Sequence, residues 1–302
     1  MIPLMRMVLY FWVPLMLLGQ TSVTKSEAID PDGDERRGED TLDMSHREGM
    51  VLVPAGAFWR GSCNEFTSPS CQPGALGYST TAAPDYMSYD ESPMRQITLD
   101  AYYLDIFEVT VSAFEACVTA GGCSKSYYDE KGRNQYCNMG YPDRLNHPMN
   151  CVNWYGANQY CKFVGKRLPT EAEWEKGARG TDGRKYPWGN ATPDCTFRNA
   201  CGCESMTTPV GSYTKGISPY GAYDMSGNLT EWVMDTYSSD YYVKSPDTNP
   251  QGPSNDGAYR VHRGVSYGSY SECSGGQRAP DRTSSARWAK VATTGFRCVA
   301  TP

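Results

Sequence analysis

Histidine is scarce in these 302 residues: His46, His147 and His262 stand far apart along the chain. A histidine-built iron or zinc site needs several imidazoles converging on one ion, so metalloenzymes of that kind lose their footing. Concentrated positive charge is missing too. With 28 Lys and Arg against 34 Asp and Glu, the formal net charge is −6, and no basic block follows residue 50. Attraction to nucleic acid or anionic lipid is therefore not expected. Long apolar runs are absent beyond the start, where MIPLMRMVLYFWVPLMLLGQ (residues 1–20) sets Arg6 ahead of an apolar stretch from Met7 to Gly19. Spanning a bilayer takes about 20 residues, so this stretch reads as a signal peptide or, if uncleaved, an N-terminal anchor. It is the one membrane contact expected. Residues 21–48 are charged and nearly free of aromatics, the composition of a flexible linker. Residues 49–302 then have the size of one large domain in a secreted, periplasmic or cell-envelope protein.

Twelve cysteines, an even number, in an exported chain read as disulfides. Cys63 and Cys71, Cys117 and Cys123, and Cys137 and Cys151 each enclose a short loop that a staple would fix. Cys195, Cys201 and Cys203 crowd one loop and supply one internal pair, so one of them needs a distant partner; Cys161, Cys273 and Cys298 remain as candidates. A zinc knuckle built from CGC is the alternative, disfavoured by oxidising surroundings and by the lack of paired C-x-x-C spacing.

Regular secondary structure is sparse. Thr110 is placed to cap a helix over 111–120 that ends at Gly121, and Asn153 one over 154–164 that ends at Gly165. In LPTEAEWEKGARG, Thr170 and Glu173 form a capping-box pair ahead of Gly180. Trp154, Ala157, Cys161 and Val164 share one helical face, which turns the Cys161 thiol inward. MVLVPAGAFWRG, RQITLDAYYLDIFEVT and TGFRCVA read as strands, and pairing the first with the last would close the domain in one small sheet. Residues 186–264 show little periodicity, and loops of that length need staples or ions to stay ordered.

MVLVPAGAFWRGS, DAYYLDIFEVTVSAFEACV, GKRLPTEAEWEKGARG, YPWGN, SPYGAYDMSGNLTEWVMD, RGVSY and TGFRC stand in an order and spacing that resembles the formylglycine-generating enzyme (sulfatase-modifying factor) family over about residues 50–300. The resemblance implies an α+β fold, a modified C-type-lectin-like architecture with little regular secondary structure, stapled by disulfides. It further implies a bridge between Cys161 and Cys298. The family's second long-range bridge has no counterpart, its positions falling at or beside Ala178 and on Ala279.

YDMSGNLTEW offers carboxylates and carbonyl oxygens in a glycine turn, the hard ligands calcium takes, though such a turn is also an ordinary helix-capping device. The family's calcium site maps onto Asp224, Gly227, Leu229 and Glu231. A second one begins at Asn199, with the carbonyl of Ala200, but its acidic partner has no clear counterpart. Active members resemble G-G-S-Y-x-C-x-x-x-x-C at the RGVSYGSYSECSG segment, where two thiolates hold copper(I) and oxygen converts a substrate cysteine to formylglycine. Here the family serine is Ser266, the first cysteine position is Ser269 and the second is Ser274, one residue after Cys273. One thiolate holds that soft ion poorly, so copper is not expected. A disulfide from Cys273 to the leftover cysteine of the 195–203 loop is the plainer account.

The reading that follows is a noncatalytic binding or scaffold domain, a possible pseudoenzyme, with calcium as its cofactor and a peptide, glycan or envelope component as its partner. Tyr237, Tyr241 and Tyr242 beside Asp240 are candidate contact residues. The alternative is a formylglycine-generating oxidase acting on a sulfatase cysteine.

Overall fold

The structure, a computed structural model, describes residues 48–62, 89–269 and 278–302. Its strands in chain order are β1 (Met50–Val53), β2 (Gly56–Arg60), β3 (Arg95–Leu99), β4 (Tyr102–Asp105), β5 (Thr230–Thr236), β6 (Tyr259–Arg263), β7 (Arg282–Ala286), β8 (Thr294–Gly295) and β9 (Val299–Ala300). The helices are α1 (Val111–Thr119), α2 (Trp154–Phe163), α3 (Glu171–Arg179) and the single turn α4 (Tyr241–Lys244). Loops carry most of the remaining chain.

Local chemistry sets the helix boundaries. Thr110, Asn153 and Thr170 each accept a hydrogen bond from the third residue after them, at Ala113, Gly156 and Glu173. The α3 cap is reciprocal, because Glu173 Oε2 accepts from the Thr170 amide at 2.8 Å. Such a cap is worth about 1 kcal/mol. Arg167 then clamps the same carboxylate through two bonds of 2.6 Å, so one glutamate fixes both the helix start and the segment leading into it.

The two ends of the domain do share a sheet, although not as neighbours: the order is β1-β4-β9, with Leu104 paired to Val51 on one side and to Val299 on the other. A second sheet is the β2-β3 ribbon. The third runs β7-β6-β5-β8 and lies largely within the stretch that shows no periodicity in sequence. Nearly every residue of β5 is buried. A strand covered on both faces loses the in-out alternation by which strands are read.

Two apolar clusters fill the interior. One gathers α1 and α2 around Phe114, Tyr160, Trp232 and Phe296, with Phe114 stacked on Tyr160 at 5.7 Å between ring centres. The other packs α3 against β2, β4 and β5 through Phe58, Leu104, Trp174 and Val233. Four bridges staple the described residues: Cys117–Cys123, Cys137–Cys151, Cys161–Cys298 and Cys195–Cys203. These are compatible with an extracellular or periplasmic protein. Ala178 and Ala279 are both buried in the second apolar cluster. Cys63, Cys71, Cys273 and Ser274 lie outside the described residues, as do residues 1–47 with the signal and linker readings.

Candidate functional site

Two turns build the candidate site. The first, Asp224–Leu229, needs Gly227, whose φ is +124° and on which a Cβ would stand 2.7 Å from the Arg198 Cβ and 2.9 Å from the Asn199 nitrogen. The turn therefore presses directly on the 198–200 segment, and the Asn228 amide donates to the Asn199 carbonyl at 2.8 Å. The second, Ser266–Ser269, is docked on the first: the Tyr267 amide donates to Asn228 O at 3.0 Å and the Gly227 amide to Val265 O at 3.1 Å. Within it, the Ser266 and Ser269 hydroxyls lie 3.2 Å apart. The position at which the resemblance demands a copper-binding cysteine thus presents an oxygen facing another oxygen, hard donors unsuited to a soft monovalent ion.

Beside these turns, the rings of Tyr186, Trp188 and Phe197 form a stack with centroid spacings of 5.1 and 4.9 Å. Arg198 runs behind it and donates to Ser226 Oγ at 3.1 Å. The Cys195–Cys203 bridge closes the loop carrying Phe197 and Asn199, and inside it Cys201 adopts a φ of +60°.

The donor set tests the calcium expectation residue by residue. Calcium takes about 6–8 oxygens. Glu231 does not offer one freely, because Arg297 forks both its oxygens at 2.7 Å and the Trp174 indole donates to Oε2 at 2.8 Å, all in the interior. Leu229 and Asn228 are held from inside by Glu108, which accepts from the Leu229 amide and the Asn228 side chain. Of the expected set of Asp224, Gly227, Leu229 and Glu231, Glu231 is here the partner of a buried guanidinium. Asn199 behaves differently, for its Oδ1 is buried and accepts no hydrogen bond. Among the described residues, no three His, Cys, Asp or Glu side chains are grouped to hold an ion.

Asp224 also carries a measurable signature. Burial, against the pull of the Gly211 amide and Arg297, pushes its carboxyl up to about 6. The folded protein therefore holds a proton that the unfolded chain releases near 3.8; the stability this contributes is full below that pH and is lost as pH rises through about 6. Asp224→Asn fixes the uncharged state and suits a φ of +57°. It is expected to raise stability at neutral pH by about 1–3 kcal/mol and to flatten the acid-side slope, measured by urea unfolding in EDTA and in calcium. A loss of stability seen only in calcium would mark Asp224 as a calcium ligand.

The tyrosines part company. Tyr241 and Tyr242 are core residues, Tyr242 donating to Glu175 Oε2 at 2.9 Å beneath the Arg60 and Arg282 guanidiniums, so their expected contact role is corrected. Asp240 is exposed and pairs with Lys244. Tyr237 remains partly accessible, with its hydroxyl on Asp90 Oδ2 at 2.7 Å. Sequence reasoning missed Glu108, Glu171, Glu175, Arg263, Arg282 and Arg297, most of whose partners lie far off in sequence, as with Arg263 and Glu175, 88 residues apart, and Arg282 and Glu171, 111 apart. No local pattern announces such pairs.

A mostly irregular, disulfide-stapled α+β domain with these turns is a domain of the formylglycine-generating-enzyme type. The chain belongs to the family described as the sulfatase-modifying factor enzyme 1-like domain, which matches residues 39–302. It is 40% identical over 312 residues to the formylglycine-generating enzyme of Thermomonospora curvata, covering 84% of this chain and 94% of that one. It is 38% identical over 221 residues to the serine/threonine-protein kinase pkn1 of Chlamydia caviae, covering 69% of this chain. The chain spans about a third of the length of the chlamydial relatives it matches, 34% in that case. Among solved structures, PvdO from Pseudomonas aeruginosa superposes with a TM-score of 0.64 at 24% identity, over 84% of this chain and 94% of the other, a likeness of fold.

Proposed function

We propose that this chain is an exported member of the family whose domain binds a peptide, glycan or envelope component and does not oxidise cysteine. The observation that carries the reading is Ser269: a hydroxyl 3.2 Å from Ser266 Oγ stands where the oxidase chemistry would need a thiolate. With Cys195 and Cys203 joined, we assign Cys201, the remaining cysteine of that loop, as the partner of Cys273. The loop and the Ser266–Ser269 turn are linked through Asn228, which donates to Asn199 and accepts from Tyr267. Calcium is proposed only at the Asn199 end of the site, where the orphaned Oδ1 supports it.

The rival reading, a formylglycine-generating oxidase, is favoured by the 40% identity to an enzyme of that name. A disulfide map with a free-thiol count, followed by copper(I) titration and incubation with a sulfatase-type cysteine peptide, separates the two. The expected result is a Cys201–Cys273 linkage, no titratable thiol and no aldehyde product. A free Cys273 that takes copper and turns over the peptide would replace the proposal with the oxidase.

A further inference from the structure

On the side of the β7-β6-β5-β8 sheet lies a cavity of about 410 Å³, walled by Asp90, Tyr237, His262, Arg282, Ser284 and Thr294 among others. Its volume falls in the range of small-molecule sites, and its rim is set by edge strand β7. Asp90 is only 5% exposed, yet its Oδ1 accepts no hydrogen bond, while Oδ2 is taken by the Tyr237 hydroxyl. A buried acceptor left this way is costly until a donor reaches it.

The charges around the cavity decide which donor. Arg282 is fully engaged: Nε and Nη2 hold Glu171 at 2.6 and 2.9 Å, and Nη1 holds the carbonyls of Asp90 and Ser238. His262 has a hydroxyl on each ring nitrogen, Thr283 at 2.9 Å and Ser285 at 3.1 Å, and burial lowers it to about 4, so it is uncharged at neutral pH. Among the described residues that line the cavity, no cation is left for an anionic ligand. An ammonium ligand fares no better, because the Arg282 guanidinium already lies 3.8 Å from the Asp90 carboxylate. What remains is an uncharged molecule with many hydroxyls, which would donate to Asp90, exchange hydrogen bonds with the Thr283 to Ser285 edge and lay its carbon face on the Tyr237 ring.

We propose that this cavity is a subsite for one neutral sugar unit of a glycan, with Asp90 as its principal acceptor and Tyr237 as its platform. The proposal deepens the binding reading given above and rests on it. Saturation-transfer NMR of the full chain with glucose, galactose, mannose and N-acetylglucosamine, and with choline and glucuronate as charged counterparts, tests it. At least one neutral sugar is expected to bind in the millimolar range, about tenfold more weakly to Asp90→Asn, and not at all to Ser284→Tyr, which fills the cavity from its wall. Thermal unfolding confirms that each variant is folded. Silence from all four sugars, a signal from choline or glucuronate alone, or unchanged binding to Ser284→Tyr overturns it. The thiol and copper outcomes are read independently, so failure here leaves the disulfide assignment standing, and an active oxidase would leave the sugar titration interpretable.

Discussion

Arg263→Ala is expected to destabilise the domain by about 3–5 kcal/mol, a large share of the roughly 5–15 kcal/mol that keeps a domain folded. The side chain is wholly buried. One arm of its fork holds Glu171 at 2.8 Å and the other Glu175 at 2.7 Å, and the same two nitrogens also donate to the Tyr242 hydroxyl and the Ala279 carbonyl. Burial alone would push both carboxyls up; the surrounding arginines, Arg282 and Arg263 on Glu171 and Arg263 and Arg179 on Glu175, outweigh it and hold both below the usual carboxylate range. Their contribution is thus present above about pH 4.5 and is lost as pH falls through the lower folded values. Removing Arg263 leaves two carboxylates sharing what is left, so the deficit in urea unfolding should be largest near neutrality and shrink in acid. Arg263→Lys keeps the charge but not the fork and should fall between the two. An Arg263→Ala protein as stable as the parent would mean that the pairs contribute nothing net.

Opening the Cys161–Cys298 bridge is the second large effect. The cysteines are 137 residues apart, and the chain-entropy relation assigns the closure of such a loop about 5 kcal/mol. Both thiols are fully buried, so Cys161→Ser would also place a hydroxyl in an apolar cluster; Cys161→Ala with Cys298→Ala isolates the loss of the link. Denaturant unfolding of that double variant against the parent, with the short Cys117–Cys123 loop opened in a parallel variant, should show a loss about twice as large for the long loop. Equal losses would mean that the long link acts through native packing alone.

What was legible in the sequence was local. Caps at Thr110, Asn153 and Thr170 mark helices because a side chain and an amide three residues on are enough to make them. Inward-facing Cys161 followed from helical spacing. The DMSGNL turn was legible as a turn, yet the Arg297 claim on Glu231 was not, since it joins residues 66 apart. Tyr242 reads as a loop aromatic because nothing nearby in sequence shows the three guanidiniums, Arg60, Arg263 and Arg282, and the Glu175 carboxylate that surround it. Ser269 was the exception among site residues: a wrong element at a known position is visible without any coordinates.

The sheet order β1-β4-β9 has a consequence for how the chain is made. Leu104 waits with one edge open until Val299, near the last residue, arrives to pair with it, and Cys298 beside it brings the partner of Cys161. A nascent chain emerges amino end first, so this closure is denied to it until residue 299 has been made. Until then neither the third strand nor the covalent link exists, so β1, β4 and α2 are held only by contacts made within the earlier part of the domain.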